Sequence, residues 1–323
     1  MGSRSSAAKV QQFVVLLFCA LSLPAQDRKA MLRRFELTAG PLPKFTHHVT
    51  PGDIQVLEEV KLERYRRQKI LFPSPDGDRI PAYLLLPNRA GKLPAMVCLH
   101  QTTRIGKDEP AGLGGKPNLH YAAELAERGY VALVPDYPSF GDYPYAFDQP
   151  NYASGTMKGI VNHMRSVDLL VSLPQVAPKR IGVIGHSLGG HNALFLAAFD
   201  SRVRALVTSC GFNALAKYKG GNLKGWDQKR YMPLIGERYH NSPSEVPWDF
   251  ADILGAIAPR AIFINAPLHD DNFEVSGVDD SVRPLKKWFR TRDLVVVHPD
   301  CAHDFPPEIR EQAYRFLDAH LRN

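Results

Sequence analysis

Arg180-Ile181-Gly182-Val183-Ile184-Gly185-His186-Ser187-Leu188-Gly189-Gly190-His191-Asn192-Ala193-Leu194-Phe195-Leu196-Ala197-Ala198-Phe199 is the stretch that decides how this chain folds. Arg180 to Ile184 is a short apolar run of strand length, and His191 to Phe199 has helical spacing. A strand can pass into a helix over so few residues only through a sharp turn. Glycines are needed at the flanks of such a turn, where side chains would strike the strand or the helix. The serine at its apex is strained and sits at a helix N-terminus, whose free N–H groups favour developing negative charge. Ser187 is therefore the candidate nucleophile, framed by Gly185, His186 and Gly189 in an elbow.

Working outward, short apolar runs recur at Pro94 to His100, Val131 to Tyr137, Val203 to Cys210, Arg260 to Pro267 and Leu294 to His298. Segments of helical spacing lie between the runs, among them Leu119 to Arg128, Met157 to Leu173 and Ile309 to Leu321. Strands that are apolar on both faces and alternate with helices imply a mostly parallel sheet with helices on both faces. Between Val60 and Pro87 two extended segments flank the turn signal Pro75-Asp76-Gly77-Asp78, so the sheet should open with an antiparallel hairpin and reach about eight strands. Phe212 to Phe250 has no clear period, and residues 212–250 read as an insertion that partly covers the ligand-binding edge of the sheet.

The beginning of the chain reads differently. Arg4 and Lys9 precede an apolar run from Phe13 to Leu23, and Pro24-Ala25 gives way to Gln26-Asp27. This is the pattern of a signal peptide over residues 1–25 cut near Ala25, which implies a secreted or periplasmic protein with no lasting membrane span. Residues 26–59 then form an N-terminal extension and residues 60–323 one α/β domain, since no linker or charge block divides them. The leader takes two of the 40 basic residues and leaves 38 against 33 acidic ones. Such a mild excess, scattered along the chain, excludes a nucleic-acid groove. Cys98, Cys210 and Cys301 remain, an odd number expected to be free thiols.

A serine hydroxyl needs a base, and the base needs an orienting carboxylate. On such an elbow the partners follow in the order serine, acid, histidine. His303 falls between the last strand and the last helix and is the preferred base, with His298 at the strand end as the alternative. Asp270 and Asp271 both follow the run Arg260 to Pro267. Asp270, nearer the strand, is preferred, Asp271 is the alternative acid, and Glu274 is a remote third. The oxyanion requires two N–H donors, one from Leu188 and one from Thr102 or Gln101 in the loop after His100. Asp136 reads as a loop-holding carboxylate. Gly112 to Pro117 lacks the Ser/Thr of a phosphate cradle, and no metal-ligand motif is present, so neither cofactor nor metal is expected.

Ser187 in its elbow, Asp270 or Asp271, and His303, in this order, make the chain resemble an α/β-hydrolase from about Val60 onward. Asp200-Ser201-Arg202-Val203 and Asp136 to Asp142 are similar to the branch containing dienelactone hydrolases, acetyl xylan esterases and prolyl oligopeptidase catalytic domains. Dienelactone hydrolases carry cysteine in the elbow; the serine here shifts the expectation to esters. The resemblance implies an exported serine hydrolase that cleaves carboxylic esters of small molecules or polysaccharides, with a carbohydrate acetyl ester as one expected substrate. A serine peptidase for short peptides is the rival reading, although too few residues precede Val60 for a propeller. A non-catalytic binding module is the third. The sequence sets no oligomeric state.

Overall fold

A computed structural model describes residues 25–322 apart from 47, 149 and 150. The expected leader, residues 1–25, lies outside the described residues except at its last position, where the first helix begins. The strands are β1 (Gln55–Lys61), β2 (Tyr65–Pro73), β3 (Arg79–Pro87), β4 (Leu93–Leu99), β5 (Val131–Pro135), β6 (Val176–His186), β7 (Val203–Ser209), β8 (Ala261–Asn265) and β9 (Leu294–Val297). The longer helices are α1 (Ala25–Ala39), α2 (Tyr121–Glu127), α3 (Gly155–Ser172), α4 (Leu188–Phe199), α5 (Leu234–Tyr239), α6 (Phe250–Ile257), α7 (Val275–Val282) and α8 (Pro307–Leu321).

The strands form one sheet of nine in the order β1-β2-β3-β5-β4-β6-β7-β8-β9. From β5 across to β9 all pairs are parallel, while β1, β2 and β3 form an antiparallel meander and β3 also pairs antiparallel with β5. The α/β-hydrolase arrangement expected from the sequence is thus present, with one strand more than the anticipated eight. The extra strand is β1, a charged edge strand that is almost wholly exposed and so carries no apolar alternation.

Successive side chains on a strand point to opposite faces, and this divides the interior into two cores. Val97, Leu99, Val183 and Ile264 join the core on the face of α1, α3, α4 and α6, whereas Met96, Cys98, Ile184 and Phe263 join the one under α2 and α8. Strands buried on both faces need the continuous apolar runs seen in the sequence. Residues 26–59 pack on the same body: Phe35 of α1 has no exposed surface and belongs to the first core. No helix among the described residues is long and apolar enough to cross a membrane. Cys98 and Cys210 are buried free thiols, and Cys301 is free and half-buried.

One buried polar cluster clamps α2 to α8. Arg310 donates from Nη2 and Nε to the Glu124 carboxylate at 2.8 and 3.0 Å, and Tyr314 donates its hydroxyl to the same group at 2.5 Å. Burial alone would raise the Glu124 pKa, but Arg310 and Tyr314 outweigh it and hold the carboxyl below the usual glutamate range. A depressed folded-state pKa means the unfolded chain binds more protons. The stabilisation is therefore complete above the ordinary glutamate pKa and is lost as pH falls through the folded value. Wild type should exceed Glu124→Gln by about 1 kcal/mol at neutral pH. Urea unfolding of both proteins along an acid series should show that gap closing; a constant gap would refute the linkage.

Candidate active site

β4, β6, β7, β8 and β9 run parallel, so their C-terminal ends open on one edge of the sheet, and the loops that leave them converge there. Ser187 directly follows β6 and caps α4 with φ 54° and ψ −117°, a left-handed conformation that strains any residue but glycine. Its N–H is held by Ser209 O at 2.8 Å. The glycines are steric necessities: a Cβ on Gly185 would lie 2.1 Å from Gly189 O, and one on Gly189 would lie 1.9 Å from Leu99 O. At the first helical position, Leu188 has an N–H with no acceptor inside the helix.

Asp270 lies in the loop after β8 and His303 in the loop after β9. His303 Nδ1 stands 2.9 Å from each Asp270 carboxylate oxygen. Asp270 Oδ1 also accepts the N–H groups of Asn272 (2.8 Å) and Phe273 (3.1 Å). Burial pushes this carboxyl up, but His303 and the two amides outweigh it and hold it below the usual aspartate range. A carboxylate can only accept, so Nδ1 carries the proton and Nε2 of the neutral ring is left as a base. Asp271, by contrast, is exposed and only its carbonyl is engaged, by Lys219 Nζ.

His298 is turned elsewhere, with Nδ1 on Ala266 O at 2.8 Å and Nε2 beside Asp279 at 3.3 Å. Glu274 is exposed beside Lys217 and Ser276. His186 has no exposed surface; its Nδ1 meets Ser209 Oγ at 2.9 Å and its ring lies 4.8 Å from that of His303.

Ser187, Leu188, Gln101, Thr102 and His303 line one cleft of about 320 Å³. Its other walls are His191, Tyr218, Gly225, Trp226, Tyr231, Asn272 and Phe273, four of them from the stretch 212–250. Of the aromatic residues in that stretch, Trp226 lines the cleft, whereas Tyr239 packs against the core. The loop after His100 is firmly held without glycines. His100 donates Nδ1–H to Gln101 O at 2.6 Å and accepts Tyr137 N–H at Nε2 at 2.9 Å, and Gln101 Nε2 donates to both oxygens of Glu109. Thr102 Oγ1 meets Tyr231 OH at 3.2 Å. The buried Glu109 also accepts Lys116 N–H, so the Gly112 to Pro117 turn wraps a carboxylate of the protein itself. Asp136 holds its rim as expected, accepting N–H groups from Lys107 (2.7 Å) and Asp142 (2.9 Å).

Five residues at or behind the cleft were not anticipated. Asn265 donates to Ser209 Oγ at 2.8 Å and to Asp304 O at 2.9 Å, tying the His303 loop to the elbow. On the far side of that loop, Asn118 Nδ2 donates to Asp304 Oδ2 at 2.6 Å and Arg310 Nη1 to Phe305 O at 2.8 Å. Tyr231 and His191 line the cleft itself. His191 had a readable signal, since it lies four residues after Ser187 and so on the same helix face.

Comparisons with known proteins bear on the fold and on hydrolase relatives. The sequence profile of the dienelactone hydrolase family matches residues 80–221. YtaP of Bacillus subtilis (strain 168), which carries a provisional name as a hydrolase, is 26% identical over 288 residues, covering 84% of this chain and 93% of its own. The fold is similar to a glucuronoyl esterase from Solibacter usitatus, with TM-score 0.68 and 15% identity over 90% of this chain and 91% of that one. It is also similar to an acetyl xylan esterase from Paenibacillus sp. R4, with TM-score 0.63 and 19% identity over 92% and 95%.

Proposed function

We propose that this α/β-hydrolase is an exported serine hydrolase that cleaves carboxylic esters through an acyl-enzyme intermediate. The observation that carries the reading is the Asp270–His303 pair at the cleft that also holds Ser187 in its strained elbow. His303 Nε2 takes the Ser187 proton as Oγ attacks the ester carbonyl, and Asp270 stabilises the imidazolium that forms. The oxyanion is held by the N–H of Leu188 and by a backbone donor of the loop at Gln101 or Thr102. His303 then returns the proton to the leaving alcohol, and water repeats the sequence to release the acid.

Both solved neighbours are named for esters of carbohydrate acids or acetylated xylan, which favours an ester over a peptide and keeps a polysaccharide acetyl or uronate ester among the candidates. The leader pattern at the N-terminus supports export. A fluorophosphonate should label Ser187 in the wild type and leave Ser187→Ala unlabelled, and the wild type should cleave an aryl acetate but not an aminoacyl anilide. Absence of label on the folded wild type would end the serine mechanism; anilide cleavage at a comparable rate would turn the reading to a peptidase.

A further inference from the structure

His191 is 7% exposed, and its ring lies 5.6 Å from the Phe195 ring and 4.8 Å from that of Trp226, which also lines the cleft. Its Nδ1 is 3.2 Å from Gly211 O. A carbonyl only accepts, so Nδ1 must carry the proton. Burial keeps the ring neutral, pushing its pKa down to about 3. Nε2 is therefore a bare lone pair. Among the described residues it has no hydrogen-bond partner, yet it is not among the sealed polar atoms, and the ring lines the cleft. An acceptor unpaired among the described residues, on a ring that lines the cleft, is matched by a donor from a ligand held there. A carbonyl, ether or carboxylate there would set lone pair against lone pair.

We infer that His191 is a specificity residue, whose Nε2 accepts a hydrogen bond from a hydroxyl of the substrate one helical turn from Ser187. His191 lies on the first turn of the helix that Ser187 caps, and both residues line the same cleft. The hydroxyl belongs either to the acyl chain or to the alcohol, and the Trp226 and Phe273 rings, 4.8 and 6.4 Å from the imidazole, are its aromatic neighbours in the cleft. This rests on the ester-hydrolase reading and narrows it to hydroxylated esters. A methyl ether of the same shape leaves Nε2 desolvated and unpaired, and is rejected for that reason.

The test uses two matched pairs of probes. One pair is the aryl esters of β-hydroxybutyric and β-methoxybutyric acid; the other is glycerol monoacetate and its di-O-methyl ether. The wild type should prefer the hydroxylated member by about tenfold or more in kcat/KM in one pair, which also names the side of the ester that carries the hydroxyl. His191→Phe keeps a ring in place and should bring that preference to within about twofold, while His191→Gln, which keeps an acceptor, should retain part of it. Fluorophosphonate labelling of Ser187 in each variant reports an intact site. A preference that survives in His191→Phe, or no preference in either pair from a labelled enzyme, overturns the assignment. Nitrogen NMR of isotope-labelled histidine decides without catalysis. His191 should show an unprotonated Nε2 at neutral pH that shifts on adding glycerol or β-hydroxybutyrate; a protonated Nε2, or no shift with either probe, overturns the assignment even if Ser187 proves inert.

Discussion

Asp270→Asn will lower kcat/KM for an aryl ester by about four orders of magnitude, with the fold intact. The reason is a conflict over one proton. Asp270 Oδ1 accepts from the backbone of Asn272 and Phe273, and both carboxylate oxygens stand 2.9 Å from His303 Nδ1. An asparagine must keep its carbonyl oxygen on the two amides, because its NH2 would face two donors there. The NH2 then occupies the other position and points at His303 Nδ1, which can meet it only as an acceptor. The imidazole proton moves to Nε2, and the base that should take the Ser187 proton is already protonated.

The same reasoning predicts that Asp271→Asn, on an exposed side chain whose carbonyl alone is engaged, leaves kcat/KM within about twofold of wild type. If the three groups act as the proposed unit, Ser187→Ala combined with Asp270→Asn should be no slower than Ser187→Ala alone. Steady-state rates on one aryl ester, with circular dichroism of all four variants matching the wild type, check this. An Asp270→Asn enzyme that kept more than about a tenth of wild-type kcat/KM would remove the carboxylate from the mechanism.

The elbow was readable because its glycines answer to backbone atoms: Gly185 and Gly189 face carbonyls at distances no Cβ can occupy, so few other residues fit the turn. The inner strands were readable because burial on both faces demands unbroken apolar runs. β1 was not, since Gln55–Lys61 sits at an edge with both faces in solvent. Choosing between Asp270 and Asp271 depended on a local turn in which two amides hold the first carboxylate inward, and adjacent acidic residues in a loop carry no periodic mark of that. The stretch 212–250 lacked a period because it is built of short turns, with Lys219, Gly220 and Gly221 all at positive φ. His191 escaped notice, despite its spacing from Ser187, because a histidine within an apolar helix looks like a packed core residue; its place in the lining of the cleft shows otherwise.

Phe35→Ala should cost about 3–5 kcal/mol of unfolding free energy, the range for a fully buried phenylalanine whose site cannot collapse. Collapse is blocked on three sides: the Phe35 ring lies 4.8 Å from Phe195, 5.8 Å from Phe199 and 4.9 Å from Trp248, and Trp248 is itself anchored by its Nε1–H to Thr38 Oγ1 at 2.8 Å. Two turns further toward the N-terminus, Arg28 donates to Ala198 O at 2.7 Å and Ala256 O at 3.1 Å, engaging carbonyls in the last turns of α4 and α6. Thus α1, which the sequence reading treated as part of an extension, closes one core of the catalytic domain and packs against the helix that Ser187 begins. A leader cut near Ala25 would take only the first residue of α1, so an exported chain would keep every one of these contacts. Urea unfolding of Phe35→Ala, with Leu37→Ala on the exposed face of α1 as a control expected to stay within about 0.5 kcal/mol of wild type, measures the difference. A loss below about 1 kcal/mol for Phe35→Ala would mean that α1 is an appendage and that the core is complete without it.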